Sequence, residues 1–263
     1  MTGRHGLDVA EEVAQLGTVL SIWAHPGDET FMAAGLMALA RAAGNRVVVV
    51  TATRGEHGTG DPARWPADRL ARLRSDELAA ALAVLEVTEH RWLGFGHGEC
   101  ASSDAERAVE HLRTVVDEIA PDTVVTFGPD GLTGDRDHRA VSAWTSLACS
   151  TVARVPRVLH ARPAADRDHD PAGEPALRLR LNAGLIERKA AALRAHASQV
   201  LGLHPTAGGR PIAARWCAET FAAAKVGASA PAADRRIVAA GKSGDRDGIE
   251  PRAYSCLTDD RLA

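Results

Sequence analysis

Short apolar runs alternate with longer amphipathic segments along the first 160 residues of the chain. The runs have the length of strands, and the near-continuous valine of residues 46–51 is typical of a parallel strand buried on both faces. Because strands that alternate with helices form parallel, right-handed units, the pattern predicts an α/β fold with a doubly wound, mostly parallel sheet. The predicted strands are 18–23, 46–51, 90–94, 123–127 and 155–160, and the predicted helices are 6–16, 28–43, 68–85, 104–119 and 138–153.

The pattern changes beyond residue 160. Residues 161–177 are polar, contain proline and mix both charges, which indicates a surface loop. From residue 227 onward Ala, Pro, Asp, Arg and Gly dominate, a composition typical of a flexible tail. The prediction for the C-terminal part is a helix over 185–195, a further helix within 211–224, one domain over 1–225 and a flexible tail over 226–263.

Composition narrows the class of protein. The 263 residues are 45% hydrophobic and 25% charged with a net charge of -3, which is typical of a globular protein and leaves no basic face for nucleic acid. No apolar run approaches the roughly 20 residues of a membrane span, and no signal-peptide core is visible. The four scattered cysteines favour reduced thiols and a cytoplasmic location. A homo-oligomeric state is left open.

Candidate chemistry begins directly after the first predicted strand, where His25 and Asp28 stand three residues apart. In open α/β sheets ligands bind at the carboxyl ends of the strands. A His-Pro turn with an Asp at the helix start is the purely structural alternative. The loops after strands one, two and four add further ligand types, and two imidazoles with a carboxylate are typical of a catalytic metal site. These loops carry His25, Asp28, Glu56, His57, Asp130, Asp135, Asp137 and His138.

Six short motifs follow one another along residues 15–225. They are Ala24-His25-Pro26-Gly27-Asp28-Glu29, Thr53-Arg54-Gly55-Glu56, Arg74-Ser75-Asp76-Glu77, Gly131 to Ala140, Lys189 with His196-x-Ser198-Gln199, and Glu219-Thr220-Phe221. In this order they resemble the motifs of the PIG-L/LmbE-like N-deacetylase family. The resemblance implies a Rossmann-like fold and a zinc enzyme that hydrolyses N-acetylglucosaminyl and related amides.

The resemblance implies a role for each of several side chains. The implied cofactor is Zn²⁺, with another divalent metal such as Fe²⁺ as the alternative. The implied partner is a small-molecule amino-sugar or glycosylated substrate, with neither nucleic acid nor a membrane involved. The predicted metal ligands are His25, Asp28 and His138, the predicted catalytic residues are Asp135, Asp137 and His196, and the predicted substrate-binding residues are Arg54, Glu56, Arg74 and His97.

Two positions depart from the family pattern. Gly27 stands where the family has the Asp that serves as general base, and Asp135 stands where it has a His that stabilises the oxyanion. Glycine cannot take a proton, and an ionised Asp135 would repel an oxyanion. One hypothesis is that Asp135 has become the base, with His57, His97 or His196 as the electrophile. The second is a diverged member that binds metal and ligand or catalyses another step. The third is a structural partner of an active homologue.

Simpler interpretations exist for several of these residues. His57 and His97 lie in glycine-rich loops typical of solvated side chains, and Glu56 could form a loop ion pair with Arg54. Asp137 could orient an imidazole or cap the helix that His138 begins. The pair Arg72 and Arg74 with Glu77 is typical of a solvated helix face.

Overall fold

The computed structural model describes residues 9–59, 61–162, 175–200 and 218–224. The strands are β1 (Val19–Trp23), β2 (Val47–Thr53), β3 (Glu89–Phe95), β4 (Thr123–Phe127), β5 (Arg157–Arg162), β6 (Leu177–Arg180) and β7 (Ala218–Ala223). The α-helices are α1 (Val9–Ala14), α2 (Asp28–Ala42), α3 (Ala67–Val84), α4 (Ala105–Ile119), α5 (Gly131–Gly134), α6 (Arg136–Thr151), α7 (Ala183–Ala195) and α8 (Ala197–Val200), and a short 3₁₀ turn spans Cys100–Ser102.

The strands form one seven-stranded sheet in the order β3-β2-β1-β4-β5-β7-β6. The first five strands are parallel, and β1 lies between β2 and β4 with all five of its residues buried. Strands β7 and β6 are antiparallel additions beyond β5. The prediction of an α/β fold with a doubly wound, mostly parallel sheet is confirmed. From the centre of the sheet, strands β1, β2 and β3 follow one another in one direction, and β4 and β5 follow in the other.

The C-terminal elements differ from the prediction. The helix predicted within 211–224 is wrong where the chain is described, because Ala218–Ala223 forms β7 between β5 and β6. The loop predicted for 161–177 ends in β6, which had not been predicted. Leu177-Arg178-Leu179-Arg180 alternates apolar and charged residues, as a half-buried strand does, but four residues are too few for a clear pattern. Residues 163–174, 211–217 and the predicted tail 226–263 lie outside the described residues.

The apolar core lies on both faces of the parallel strands. Trp23 ends β1 inside this core and meets the Phe127 ring edge-on, with 4.9 Å between the ring centroids. The ends of β1 and β4 are therefore fixed to each other where the chain leaves the sheet. In the described parts of the chain, no helix has both the length and the apolar character needed to cross a membrane.

Candidate metal centre

Three side chains predicted as metal ligands meet at the carboxyl edge of the sheet. His25 and Asp28 come from the turn between β1 and α2, and His138 comes from the first turn of α6. His25 Nδ1 lies 3.2 Å from His138 Nε2 and 3.6 Å from Asp28 Oδ2. His138 Nε2 lies 3.5 Å from the same Asp28 oxygen. The three atoms thus form a nearly equilateral triangle of potential ligands.

Hydrogen bonds on the far side of each ring decide which nitrogen carries a proton. His25 Nε2 lies 3.0 Å from Asp137 Oδ2, and His138 Nδ1 lies 3.1 Å from the Gly131 carbonyl oxygen. Both oxygens can only accept a hydrogen bond, so these two nitrogens donate. In the neutral rings, His25 Nδ1 and His138 Nε2 are then the nitrogens with free lone pairs, and both could bind a cation placed between them.

The spacing of the three atoms fits a small divalent ion. Nitrogen and oxygen ligands about 2.0–2.1 Å from a tetrahedral ion are roughly 3.3 Å apart. The observed separations of 3.2, 3.5 and 3.6 Å agree with that value. Three such ligands leave room for a further ligand, as in catalytic metal sites. His25, Asp28 and His138 are thus a donor set that could hold a metal.

Asp137 is buried behind His25. Its carboxylate also accepts the backbone N–H groups of Gly98, at 2.6 Å, and Cys100, at 3.1 Å. Burial alone would raise the pKa of Asp137, but the hydrogen bond and charge of His25 hold that pKa below its ordinary value. Burial alone would lower the pKa of His25, yet Asp137 and Asp28 raise it. Asp137 therefore orients the imidazole, and the negative surroundings attract a cation.

Asp135 caps helix α6. Its Oδ1 accepts the backbone N–H of Asp137 at 2.8 Å and that of His138 at 3.2 Å, and the residue is exposed. The cap that was considered for Asp137 is thus made by Asp135 instead. This capping fixes the turn that carries His138. The acid–base role predicted for Asp135 stays a prediction.

The turn that carries Asp28 is fixed by Glu29, a residue that the sequence analysis did not single out. Gly27 has φ +107°, and its N–H donates to Glu29 Oε2 at 2.8 Å. Glu29 is fully buried, and its Oε1 contacts His196 Nε2 at 3.0 Å. His196 is also fully buried, and its predicted catalytic role stays a prediction. A partner 167 residues away cannot be found from local sequence pattern.

Arg74 does not lie on a solvated helix face, because it is buried and faces a glycine-rich loop. It donates to the carbonyl oxygens of Gly55 at 2.6 Å and Gly58 at 2.7 Å. A Cβ at Gly55, where φ is +70°, would lie 2.3 Å from the guanidinium, so only glycine fits there. Glu77 is likewise buried and accepts the backbone N–H of Ser198 at 2.7 Å. The solvated-face interpretation holds only for the exposed Arg72.

The remaining predicted substrate-binding residues belong to the loops that follow β2 and β3. The Arg54 guanidinium lies 4.4 Å from the Trp92 ring centroid and donates to Ser75, while Glu56 accepts the backbone N–H of His97 at 2.9 Å. The Arg54–Glu56 ion pair is therefore not the arrangement that these residues adopt.

His97 is half-buried, and its ring centroid lies 4.5 Å from that of His25. Burial lowers the pKa of His97 to about 4, so the ring is neutral at pH 7. His57 is exposed, as expected for a solvated loop residue, and its ring centroid lies 6.5 Å from that of His97.

Known structures share this fold. An N,N′-diacetylchitobiose deacetylase from Pyrococcus horikoshii superimposes with a TM-score of 0.65 at 20% identity, over 83% of this chain and 87% of that one. A 4-carboxy-2-hydroxymuconate hydratase from Pseudomonas putida superimposes with a TM-score of 0.59 at 17% identity, over 79% of this chain and 95% of that one. Identities this low show a common fold alone.

Sequence comparison shows the family. A family model described as "PIG-L: GlcNAc-PI de-N-acetylase" matches residues 20–149. A 1D-myo-inositol 2-acetamido-2-deoxy-α-D-glucopyranoside deacetylase of Streptomyces scabiei is 37% identical over 151 residues, 49% of this chain and 47% of that protein. This chain spans 47% to 58% of the length of several such relatives. The corresponding protein of Corynebacterium diphtheriae is 30% identical over 222 residues, 69% of this chain and 75% of that protein. The chain therefore belongs to the PIG-L family.

Proposed function

We propose that this protein is a zinc-dependent hydrolase that removes an N-acyl group, such as acetyl, from an amino-sugar or a sugar-bearing metabolite. The observation that carries the proposal is the triangle of two imidazole nitrogens, 3.2 Å apart, and Asp28 Oδ2, which lies within 3.6 Å of each. A divalent cation between these three atoms could bind all of them at once. Zinc suits two imidazoles and one carboxylate, and Fe²⁺ suits the same ligands.

The metal would supply one kind of chemistry, since a divalent ion here lowers the pKa of water and polarises an amide carbonyl. The chain's own residues hold and orient the reactants. His25, Asp28 and His138 would hold the ion, and the hydrogen bond to Asp137 would keep the His25 ring in the tautomer that binds it. The hydrolytic reaction then needs a proton acceptor near the attacking water.

The loops beside the site support a polar, hydroxyl-bearing substrate. Within the described residues, Glu56 Oε2 and His97 Nδ1 are shielded from solvent and have no hydrogen-bond partner. A sugar hydroxyl can both donate and accept, so it could satisfy these two atoms. The relatives named as deacetylases of an N-acetylglucosamine–inositol conjugate favour an amide of that class as the substrate.

A second candidate function follows from Gly27. Residue 27 has no side chain that could take a proton, which favours a diverged member that binds a metal and a ligand or catalyses a different metal-dependent step. The fold does not decide between the two, because a deacetylase and a hydratase both have it. A structural partner of an active homologue is the third candidate.

The test combines metal analysis with turnover. The purified protein is expected to contain about one zinc or iron per chain and to release the free amine from N-acetylglucosaminyl-inositol. His138→Ala should lose both properties, because it removes one of three ligands. The matched control is His111→Ala, which removes an exposed histidine from α4.

Each result separates the candidates. Wild-type protein without stoichiometric metal contradicts the proposal and favours a structural partner. Bound metal with no amine released from any N-acetylglucosaminyl substrate favours the diverged member. Equal metal content in His138→Ala and His111→Ala shows that the metal lies elsewhere.

A further inference from the structure

His196 is a fully buried histidine whose two ring nitrogens have different surroundings. It follows the last residue of α7, and its Nε2 lies 3.0 Å from Glu29 Oε1. The Thr30 hydroxyl donates to that same carboxylate oxygen at 2.6 Å. A carboxylate only accepts hydrogen bonds, so Nε2 of His196 must carry the hydrogen. In the neutral ring, Nδ1 is then an unprotonated lone pair.

Nδ1 of His196 has no hydrogen-bond partner among the described residues. If Nδ1 carried a hydrogen in the resting protein, that buried donor would be unsatisfied, at a cost of about 1–3 kcal/mol. A bare nitrogen avoids this cost. The hydrogen bond to Glu29 therefore fixes the ring in an orientation that leaves Nδ1 as a basic nitrogen without a hydrogen-bond partner among the described residues.

His196 Nδ1 lies next to the position that a side chain at residue 27 would occupy. A Cβ built on Gly27 would lie 3.9 Å from His196 Nδ1 and 3.9 Å from the Phe31 ring. Gly27 directly precedes Asp28, one of the three potential ligands. The missing side chain thus leaves a gap between His196 Nδ1 and the turn on which the metal site is built.

We propose that His196 is the proton acceptor that this chain uses in place of a side chain at residue 27, with Glu29 as the positioning residue. The inference rests on the proposed amide hydrolysis. Water gives one proton to His196 Nδ1, directly or through one water in the gap beside Gly27, and its oxygen bonds to the acyl carbon. The C–N bond then breaks, and His196 returns the proton to the leaving nitrogen. The products are a carboxylic acid and a free amine.

The decisive variant is His196→Gln. Glutamine keeps a polar group that can hydrogen-bond to Glu29 but cannot take a proton. The expected result is a fall in kcat of about a hundredfold or more, with KM and metal content unchanged. The matched control is His160→Gln, because His160 is half-buried and its Nε2 also lacks a hydrogen-bond partner in the described structure. This control should keep the wild-type kcat.

A second measurement does not depend on the folding of a variant. Nitrogen-15 NMR of the metal-loaded wild-type protein reports the tautomer of His196 directly. A hydrogen on Nε2 and a bare Nδ1 are expected. The opposite tautomer overturns the inference, because Nδ1 could not then accept a proton.

The kinetic outcomes separate this inference from the proposed function. Wild-type protein that hydrolyses no amide defeats the proposed function, and this inference with it. An active wild type together with a His196→Gln kcat within about fivefold of it overturns the inference alone. Turnover that survives in His196→Gln but is lost in Asp135→Asn, with metal retained, assigns the proton transfer to Asp135 and also overturns it.

Discussion

Asp137 determines which nitrogen of His25 is free to bind a metal. The carboxylate accepts a hydrogen bond from Nε2 at 3.0 Å and is itself held by the backbone N–H groups of Gly98 and Cys100. These three donors use most of its acceptor capacity, so the ring can hardly rotate. A negative charge behind the ring also makes Nδ1 a stronger electron donor.

Asp137→Asn tests this arrangement. The amide is neutral, and its NH₂ group would face either the His25 ring or a backbone N–H, so one of these donors loses its acceptor. We expect the dissociation constant for zinc to rise about 10- to 100-fold. The measurement is a competition titration against a chromogenic chelator.

Asp117→Asn is the control for this substitution, since Asp117 is exposed and forms an ion pair with Arg113 on the surface of α4. Its zinc affinity should equal that of the wild type. Equal affinities for Asp137→Asn and wild type would show that His25 keeps its tautomer without this carboxylate.

At the residue scale, sequence reasoning brought His25, Asp28 and His138 together because all three follow parallel strands or begin the next helix. It could not assign Asp135 as the cap and Asp137 as the partner of His25. Both lie in one acidic loop, and only the path of the backbone decides which carboxylate points inward. The contact between Glu29 and His196 joins distant segments and leaves no local pattern.

Helix α2 has a kink close to the candidate metal site, and the Glu219 carboxylate caps the part of the helix that follows the kink. Ala33 has non-helical torsion angles, φ -140° and ψ 15°. The N–H groups of Gly35 and Leu36 donate to the Glu219 carboxylate, at 2.8 and 2.9 Å. Lys189 adds a buried ion pair with Glu219 at 2.7 Å. Glu219 of strand β7, paired with Lys189 of helix α7, therefore caps the second part of α2.

Glu219→Gln should be strongly destabilising. The amide cannot accept all three hydrogen bonds, and the buried ion pair between Lys189 and Glu219 is lost. Breaking a buried pair in this way costs about 3–5 kcal/mol, measured as the loss in free energy of unfolding in urea. Glu187→Gln on the exposed side of α7 should change that free energy by less than about 0.5 kcal/mol. If Glu219→Gln lowered the free energy of unfolding as little as Glu187→Gln does, the carboxylate would not cap α2.

At the element scale, the parallel part of the sheet was predictable because β1, β2 and β4 are mainly apolar runs and clear helices separate the strands. The antiparallel edge of the sheet, formed by β7 and β6, was not predictable from the sequence. Ala218–Ala223 contains Glu219 and Thr220, and a buried charge within a short segment hides the apolar pattern of a strand. Its partner β6 has only four residues. Strand β7 pairs with β5, and β6 pairs only with β7 in the described sheet, and sequence pattern does not show these contacts.

Across the whole molecule, the C-terminal elements are tied to the N-terminal half by buried polar contacts. His196 meets Glu29, Lys189 meets Glu219 behind α2, and Ser198 donates to Glu77 of α3 at 2.7 Å through its N–H and 2.6 Å through its hydroxyl. The three potential metal ligands come from two distant stretches of the chain, around residues 25–28 and 138. A metal bound to all three would join these two stretches in the folded protein.

Metal binding should therefore stabilise the entire fold. A ligand that binds only the folded state adds about 4 kcal/mol at a thousandfold excess over its dissociation constant. For a chain of this size, about 1 kcal/mol shifts Tm by roughly 2–4 °C, so removing zinc with a chelator should lower Tm by about 8–16 °C. The measurement is differential scanning calorimetry with and without chelator. His25→Ala should show no zinc-dependent shift, because it removes a ligand, whereas His111→Ala should keep the full shift. A Tm that is the same with and without zinc in the wild type would show that no metal joins these two stretches.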